Sequence, residues 1–159
     1  MSLFRLVPTG LDLNGPDLSF TTNPVGVATS TAGIATFTGI ATATFATVGD
    51  VSNSVNNLGI ITYRWYQVGV GSVTDGTTSA GSTITGAGST ILTISGLTND
   101  VNQAEYYLQA DYVPESISGV TSVSLGGYFT GNATNEPLNS GIGTLTVYPE
   151  ITIVTQPEE

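Results

Sequence analysis

Short runs of alternating apolar and polar residues recur along this chain, and glycine, asparagine or serine separates one run from the next. In the segment 33–45, Phe37, Ala41, Ala43 and Phe45 fall on one side of an extended chain and threonines fall on the other. A period of two is that of a β-strand with one buried face. No stretch repeats its apolar residues at helical spacing. We therefore expect an all-β fold of short strands joined by turns.

The same pattern locates the remaining strands. Residues 18–23 are expected to form an edge strand, because Pro24 has no N–H group to donate to a ladder. Further strands are predicted at residues 60–68, 90–97, 104–113 and 141–148. Residues 70–89 are expected to be loop-like with one or two marginal edge strands, and residues 114–140 are expected to form a long connection.

Charge and composition exclude several functions. The chain carries two basic residues, Arg5 and Arg64, against twelve acidic ones, and its net charge is −10. Such a chain repels phosphate backbones and anionic lipids, so we expect neither a nucleic-acid nor a membrane partner. Cysteine and histidine are absent. Disulfides, thiolate or imidazole metal sites and Cys/His catalysis are thereby excluded, and we expect no enzyme activity, cofactor or metal.

Three blocks of sequence carry a resemblance to a known family. Thr62–Gln67, Leu92–Leu97 and Asn102–Leu108 resemble, in this order, the C strand, the E strand and the E–F corner with the F strand of immunoglobulin-like domains. Residues 33–38 and 132–147 are similar to the B strand and to the F–G segment of bacterial and phage members. The resemblance implies an immunoglobulin-like β-sandwich of about seven to nine antiparallel strands, without the usual disulfide between its sheets.

The resemblance also assigns roles to individual side chains. Trp65 is expected between the two sheets, in the space left by Gly39, Ala41 and Ala43. Tyr106 is expected to form a tyrosine corner, with its hydroxyl bonded to the corner backbone. Leu108 takes the place of one half-cystine, and Gly39 or Ile40 takes the other. The expected core consists of Phe37, Trp65, Leu92, Ile94, Tyr106 and Leu108.

A seven-residue segment occurs twice. Leu18–Pro24 and Ile151–Pro157 share apolar residues at the first and third places, threonine at the fifth, an amide at the sixth and proline at the seventh. The repeat indicates a tandem array of domains, and chance similarity between threonine-rich strands is the alternative. The domain prediction is therefore an N-terminal arm at 1–17, an immunoglobulin-like domain at 18–148, and a linker with the first strand of a following domain at 149–159.

The threonine-, alanine- and glycine-rich style of the chain resembles the tandem immunoglobulin-like domains of tailed-phage virion proteins, those of phages of marine cyanobacteria above all. This resemblance implies location in the virion and a structural role in a tail, neck or fibre. Residues 1–17 are then expected to dock onto the particle. The expected partners are other virion proteins and further copies of the chain, with a trimer as the first expectation for the homo-oligomer.

The alternative is a glycan- or receptor-binding adhesin module of a phage or bacterial surface protein. Its candidate surface contacts are Tyr107, Tyr128 and Phe129, because recognition concentrates on the exposed parts of a rigid sandwich. A host surface glycan would then be the partner. The other interpretation of Tyr128 and Phe129 is that they fix the 114–140 connection to its own domain or to a neighbouring subunit.

Overall fold

The computed structural model describes residues 17–44, 59–114 and 137–150. These residues form short strands, with one 3₁₀ turn at Asn99–Val101. Within them, no helix has the length and apolar character that crossing a bilayer requires. The strands are β1 (Asp17–Thr22), β2 (Val27–Ser30), β3 (Ile34–Thr38), β4 (Ile40–Thr44), β5 (Gly59–Gln67), β6 (Gly71–Ser72), β7 (Gly76–Thr77), β8 (Thr83–Thr85), β9 (Ile91–Ser95), β10 (Glu105–Pro114), β11 (Leu138–Asn139) and β12 (Gly143–Tyr148).

Two sheets face each other across one core. The first sheet has the order β2-β12-β10-β5-β6, with β11 beside β10, and the second has the order β3-β9-β8-β7. β1 pairs with β4, which follows β3 after the single residue Gly39. Strands β5, β10 and β12 thus take the places of C, F and G, while β1, β3–β4, β9 and β8 take those of A, B, E and D. The chain is an all-β immunoglobulin-like sandwich, as expected.

The core forms where the inward residues of both sheets meet. All six residues named for the core from the sequence are buried in it, together with neighbours such as Ala35, Leu145 and Val147. The ring of Phe37 lies 6.4 Å from that of Trp65 and 5.3 Å from that of Tyr106, measured between centroids. Each such side chain contributes about 1.5–3 kcal/mol by leaving water. Trp65 also donates its indole N–H to the Ser89 carbonyl oxygen at 2.8 Å, so its one polar atom is satisfied.

The segment 33–45 is not one strand, as its alternation suggested, but two. Burial still alternates through Gly39, yet the hydrogen-bonding partner changes there: β3 pairs with β9, whereas β4 pairs with β1. The Gly39 N–H group donates to the Thr90 carbonyl oxygen, just before β9 begins. Alternation reports which side of a strand is buried and not which neighbour it pairs with, so the sequence did not reveal this break. Phe45 lies outside the described residues.

One strand pair is parallel, although antiparallel strands were expected throughout. Val27–Ser30 of β2 pairs in parallel with Leu145–Tyr148 of β12. The change of sheet follows β1, where Pro24 interrupts the ladder and Asn23 accepts the Gly141 N–H group at 2.8 Å. The chain before Pro24 therefore pairs with β4, and the chain after it pairs with β12 of the other sheet. Residues 70–89 likewise differ from expectation, since they contain three short strands, β6, β7 and β8, and not one or two.

Gly39 and Leu108 occupy the two positions that a disulfide joins in other immunoglobulin-like domains. The sequence had left Gly39 and Ile40 as alternatives for the first of these positions. A Cβ atom built on Gly39 would lie 3.4 Å from the Leu108 Cβ atom and 2.8 Å from its Cδ2 atom. Ile40 is instead exposed. Leu108, rather than Trp65, thus fills the space that Gly39 leaves. A steric contact between the sheets replaces the covalent bond.

Candidate functional site

The outward side of the β5–β10 pair holds the most distinctive surface of the described residues. Because Trp65, Tyr106 and Leu108 point into the core, their neighbours along each strand point outwards. We call this surface the tyrosine face and define it by Ile60, Thr62, Arg64 and Tyr66 of β5 and Glu105, Tyr107, Gln109, Asp111 and Val113 of β10. Of the three surface contacts predicted from sequence, Tyr107 lies here. Tyr128 and Phe129 lie outside the described residues.

Two tyrosines form the ordered centre of this face. Tyr66 and Tyr107 are directly opposite each other in the strand register. Their rings are stacked, with centroids 5.2 Å apart and planes at 8°. Such cross-strand aromatic pairs stabilise a sheet by roughly 0.2–1 kcal/mol. They also hold both rings in one orientation, so little conformational entropy remains to be lost when a partner binds.

Hydrogen bonds extend this order across three strands. The Tyr66 hydroxyl donates to the Gln109 Oε1 atom at 3.2 Å. The Gln109 Nε2 atom donates in turn to the Asn139 Oδ1 atom of β11 at 3.0 Å. The polar groups beside the tyrosine pair are therefore fixed in place before any partner arrives.

The face carries both signs of charge. Arg64 is exposed and stands opposite Gln109, while Asp111 stands opposite Thr62, one position away along the same face. Among the described residues, Arg64 has neither an ion pair nor a hydrogen bond from its side chain. A guanidinium group with no such partner in the described part of the chain can bind a carboxylate of another molecule in a two-pronged geometry.

An apolar pair closes the far end of the face. Ile60 and Val113 are opposite each other in the register and remain 65% and 43% exposed. The outward face of an antiparallel sheet is normally polar, so an exposed aliphatic pair at this place is unusual. Tyrosine and arginine, which this ordered surface combines, are enriched at protein–protein contact sites. The arrangement is suited to binding.

Tyr106 does not form the expected tyrosine-corner bond. Its side chain is buried against Phe37, and burial raises its pKa above the ordinary value of 10.0. Among the described residues, no hydrogen bond involves its hydroxyl. The corner is held by other groups: the Val147 N–H donates to the Asn102 Oδ1 atom at 2.9 Å, and the Gln103 N–H donates to the Leu145 carbonyl at 2.8 Å.

A recess in the surface lies between the β5–β6 turn and β8. This cavity of about 200 Å³ is lined by Gln67, Asp75, Thr78 and Ile84, among others. Asp75, the carboxylate in its wall, accepts the Ala87 N–H group at 2.8 Å and so supports the local backbone. In the described part of the chain, no group of three carboxylate, histidine or cysteine side chains is placed to hold a metal ion.

Sequence reasoning named one residue of the tyrosine face and missed the others. The missed residues include Arg64 and Tyr66, together with the exposed pair Ile60 and Val113. The sequence did indicate that these residues point outwards. Trp65 and Tyr106 were predicted to point inwards, and their neighbours along each strand therefore lie on the outer side. What the sequence could not supply was the register that sets Tyr66 against Tyr107.

Comparisons with known proteins give likenesses of architecture. No family model matches the sequence, and no curated protein is similar to it. Similar solved structures include a chimeric titin Z1Z2 carrying an exogenous decorin peptide (18% identity, 84% of this chain and 95% of that chain, TM-score 0.44). The N-terminal Ig1-2 module of the Drosophila receptor protein tyrosine phosphatase DLAR is another (17% identity, 84% and 50%, TM-score 0.46). A third is Dpr1 IG1 bound to DIP-eta IG1 (13% identity, 84% and 97%, TM-score 0.47).

This chain spans half the length of the DLAR structure that it matches. With identities of 18% or less and TM-scores below 0.5, these likenesses carry no functional argument. The immunoglobulin-like fold stands on the strand pairing described above.

Proposed function

We propose that the chain is a non-enzymatic structural module of a phage virion appendage, in a tail, neck or fibre. Residues 1–17 attach it to the particle, and immunoglobulin-like domains in series project from there. Its work is contact between proteins, with other virion proteins and with further copies of itself as partners. The tyrosine face is the described surface best suited to such contact.

The observation that carries this proposal is that the chain enters and leaves the sandwich at opposite ends. Asp17, the first residue of β1, pairs with Thr44 at the end of β4. Tyr148, the last residue of β12, pairs with Ser30, which accepts a hydrogen bond from Gly33 just before β3 begins. The run from Ile34 to Thr44 spans about 30 Å at roughly 3.3 Å per residue. Domains joined through such ends stand in line and do not fold back on one another.

Two sequence features support the serial arrangement. The Leu18–Pro24 segment, which supplies β1 and its terminating proline, has its counterpart at Ile151–Pro157. Only Pro149 and Glu150 separate β12 from this counterpart, so a following domain would be joined by a short and stiff linker. The virion assignment itself comes from the resemblance of the chain to phage proteins of this kind.

Co-purification with particles tests the proposal. An antiserum against the 159-residue chain should detect the protein in density-purified particles of the phage that encodes it, and gold labelling should mark an appendage. Deletion of residues 1–16, which keeps β1 complete, should leave the sandwich folded, as judged by circular dichroism, and should prevent incorporation. A full-length protein that stays soluble and never sediments with particles would exclude the virion role.

A second candidate function is that of an adhesin module. The observation in its favour is the position of Arg64, which has no partner among the described residues, beside the stacked Tyr66 and Tyr107 rings. Aromatic rings and a guanidinium can also bind an acidic sugar. Binding on a glycan array that Tyr107→Ala or Tyr128→Ala abolishes would favour this function. Absence of binding across the array would count against it.

A further inference from the structure

We infer that the tyrosine face is the surface through which two copies of this chain pair, side by side and in the same direction. The inference extends the assembly role proposed above by naming the surface and the partner. It depends on three properties of the face: its charges, its symmetry and the direction of its strands.

Charge selects this face over the rest of the described surface. Two copies with a net charge of −10 each repel one another, so a close contact needs local attraction. The described charged residues outside the face are all acidic: Asp17, Asp75, Asp100 and Glu150. Arg64 is the single described cation, and it lies on the tyrosine face without an ion pair or a side-chain hydrogen bond among the described residues. Among the described residues, only this face offers a second copy an opposite charge.

The face is also complementary to itself. We call two residues that are opposite each other on β5 and β10 a row. A two-fold axis in the plane of the contact, parallel to the strands and midway between them, places β5 of one copy over β10 of the other. Each row then faces the same row of the second copy. The rows are those observed within the sheet, where Tyr66 is opposite Tyr107, Arg64 opposite Gln109, and Ile60 opposite Val113. The axis therefore brings tyrosine onto tyrosine and aliphatic onto aliphatic side chains. It also brings Arg64 of each copy next to Asp111 of the other, one row away.

This geometry agrees with how proteins associate. In a two-fold contact every contact between two different residues occurs twice, so one favourable pair contributes twice. Sheets that pack face to face keep their strands within about 30° of each other, which this axis allows. The tyrosine rings would supply the buried centre and the Arg64–Asp111 pairs the specificity. A pair of this kind differs from the trimer that the sequence alone led us to expect.

The same axis gives the pair a common polarity. Because the strands of both copies run in one direction, both Asp17 ends lie on the same side and both Tyr148 ends lie on the other. Two N-terminal arms could then attach to one particle while both chains project outwards. An antiparallel pair would point one arm away from the particle.

Charge exchange tests the inference on the 159-residue chain. Sedimentation equilibrium over a wide range of concentration should show a monomer–dimer equilibrium. Arg64→Glu and Asp111→Arg should each raise the dimer dissociation constant about tenfold or more, because each places like charges together. The double variant, Arg64→Glu with Asp111→Arg, should restore the dimer. Asp100→Arg, which makes the same charge change as Asp111→Arg outside the face, should not weaken it.

Several results would overturn the inference. One is a chain that stays monomeric at every concentration, and another is self-association that neither single variant alters. Failure of the double variant to restore the dimer would also overturn it. A monomer that binds an acidic glycan through Arg64 would assign the face to a different ligand. A monomer in solution that still co-purifies with particles would remove this inference and leave the proposed function standing.

Discussion

Gly39 and Leu108 join the two sheets at the position where related sandwiches use a disulfide. The geometry is close to that of the bond itself, since Cβ atoms in disulfides are about 3.5–4.5 Å apart and the separation here would be 3.4 Å. Gly39 does not have a positive φ, so a larger residue fits its backbone conformation. The sequence left Gly39 and Ile40 as alternatives because the choice depends on which side of the strand each occupies at a break.

The variant Gly39→Cys with Leu108→Cys should therefore form an intramolecular disulfide on oxidation. The bond would close a loop of about 70 residues and raise the free energy of unfolding by about 4 kcal/mol over the same variant reduced. Thiol titration and urea unfolding with and without reductant measure both quantities. Leu108→Cys alone should form no such bond and should be less stable than the native chain, because it leaves a cavity. Thiols that stay free after oxidation would contradict the assigned geometry.

Tyr106 makes alkaline pH a second probe of the core. Burial raises its pKa in the folded state above the ordinary value of 10.0. The unfolded chain therefore loses this proton first as pH rises. The corresponding stability is fully present below pH 10 and is lost as pH rises through the folded pKa. No hydrogen bond among the described residues uses the Tyr106 hydroxyl, so its removal breaks no bond there.

The variant Tyr106→Phe should accordingly unfold with nearly native free energy at pH 7 and lose less stability between pH 9 and 11. Urea unfolding followed by circular dichroism at several pH values measures this. Tyr107→Phe, one residue along on the outer face, is the matched control for removal of a tyrosine hydroxyl. A loss of more than about 1.5 kcal/mol at pH 7 would indicate a hydrogen bond of the tyrosine-corner kind.

Among the elements, most strands of five or more residues were predictable, and the strands of two to four residues were not. β5, β9 and β10 lie within two residues of their predicted bounds, because each alternates inward and outward residues over several positions. The β2–β12 pairing joins four residues near the start of the chain to four near its end. No local pattern encodes such a distant contact. The tyrosine face was only partly predictable for the same reason, since it exists through the register of two distant strands.

The corner before β10 is held by one side chain and one backbone N–H group in place of a tyrosine-corner bond. Asn102 and Gln103 attach it to β12 through the Val147 N–H and Leu145 carbonyl groups. Asn102→Ala should lower the free energy of unfolding by about 1–3 kcal/mol, because the partly buried Val147 N–H loses its acceptor. Asn102→Asp keeps an acceptor oxygen and should lose less. Equal stability of the alanine variant and the native chain in urea unfolding would show that this bond is dispensable.

For the whole molecule, the direction of the strands determines its response to tension. The two ends of the sandwich lie on opposite sides, and β2 and β12 are parallel neighbours close to those ends. Pulling on both ends draws β2 and β12 past each other, so that their hydrogen bonds are loaded together and not one after another.

Single-molecule pulling should therefore depend on the points of attachment. Force applied through cysteines placed at Asp17 and Glu150 should rupture the sandwich at a higher force than force applied through Thr31 and Glu150. The second geometry separates β2 and β12 from one end, where the Thr31 N–H group bonds the Tyr148 carbonyl. The native chain contains no cysteine, so both placements are specific. Equal rupture forces would contradict the shear geometry.

Trp65 gives the molecule an optical property of its own. It is the only tryptophan in the chain, it is fully buried, and its indole is bonded to Ser89 while its ring lies near Phe37 of the opposite sheet. Red-shifted emission, as from an indole in water, therefore comes from a chain in which Trp65 has lost contact with both sheets at once. The emission wavelength of Trp65 therefore reports whether the sandwich is folded, and no added label is needed.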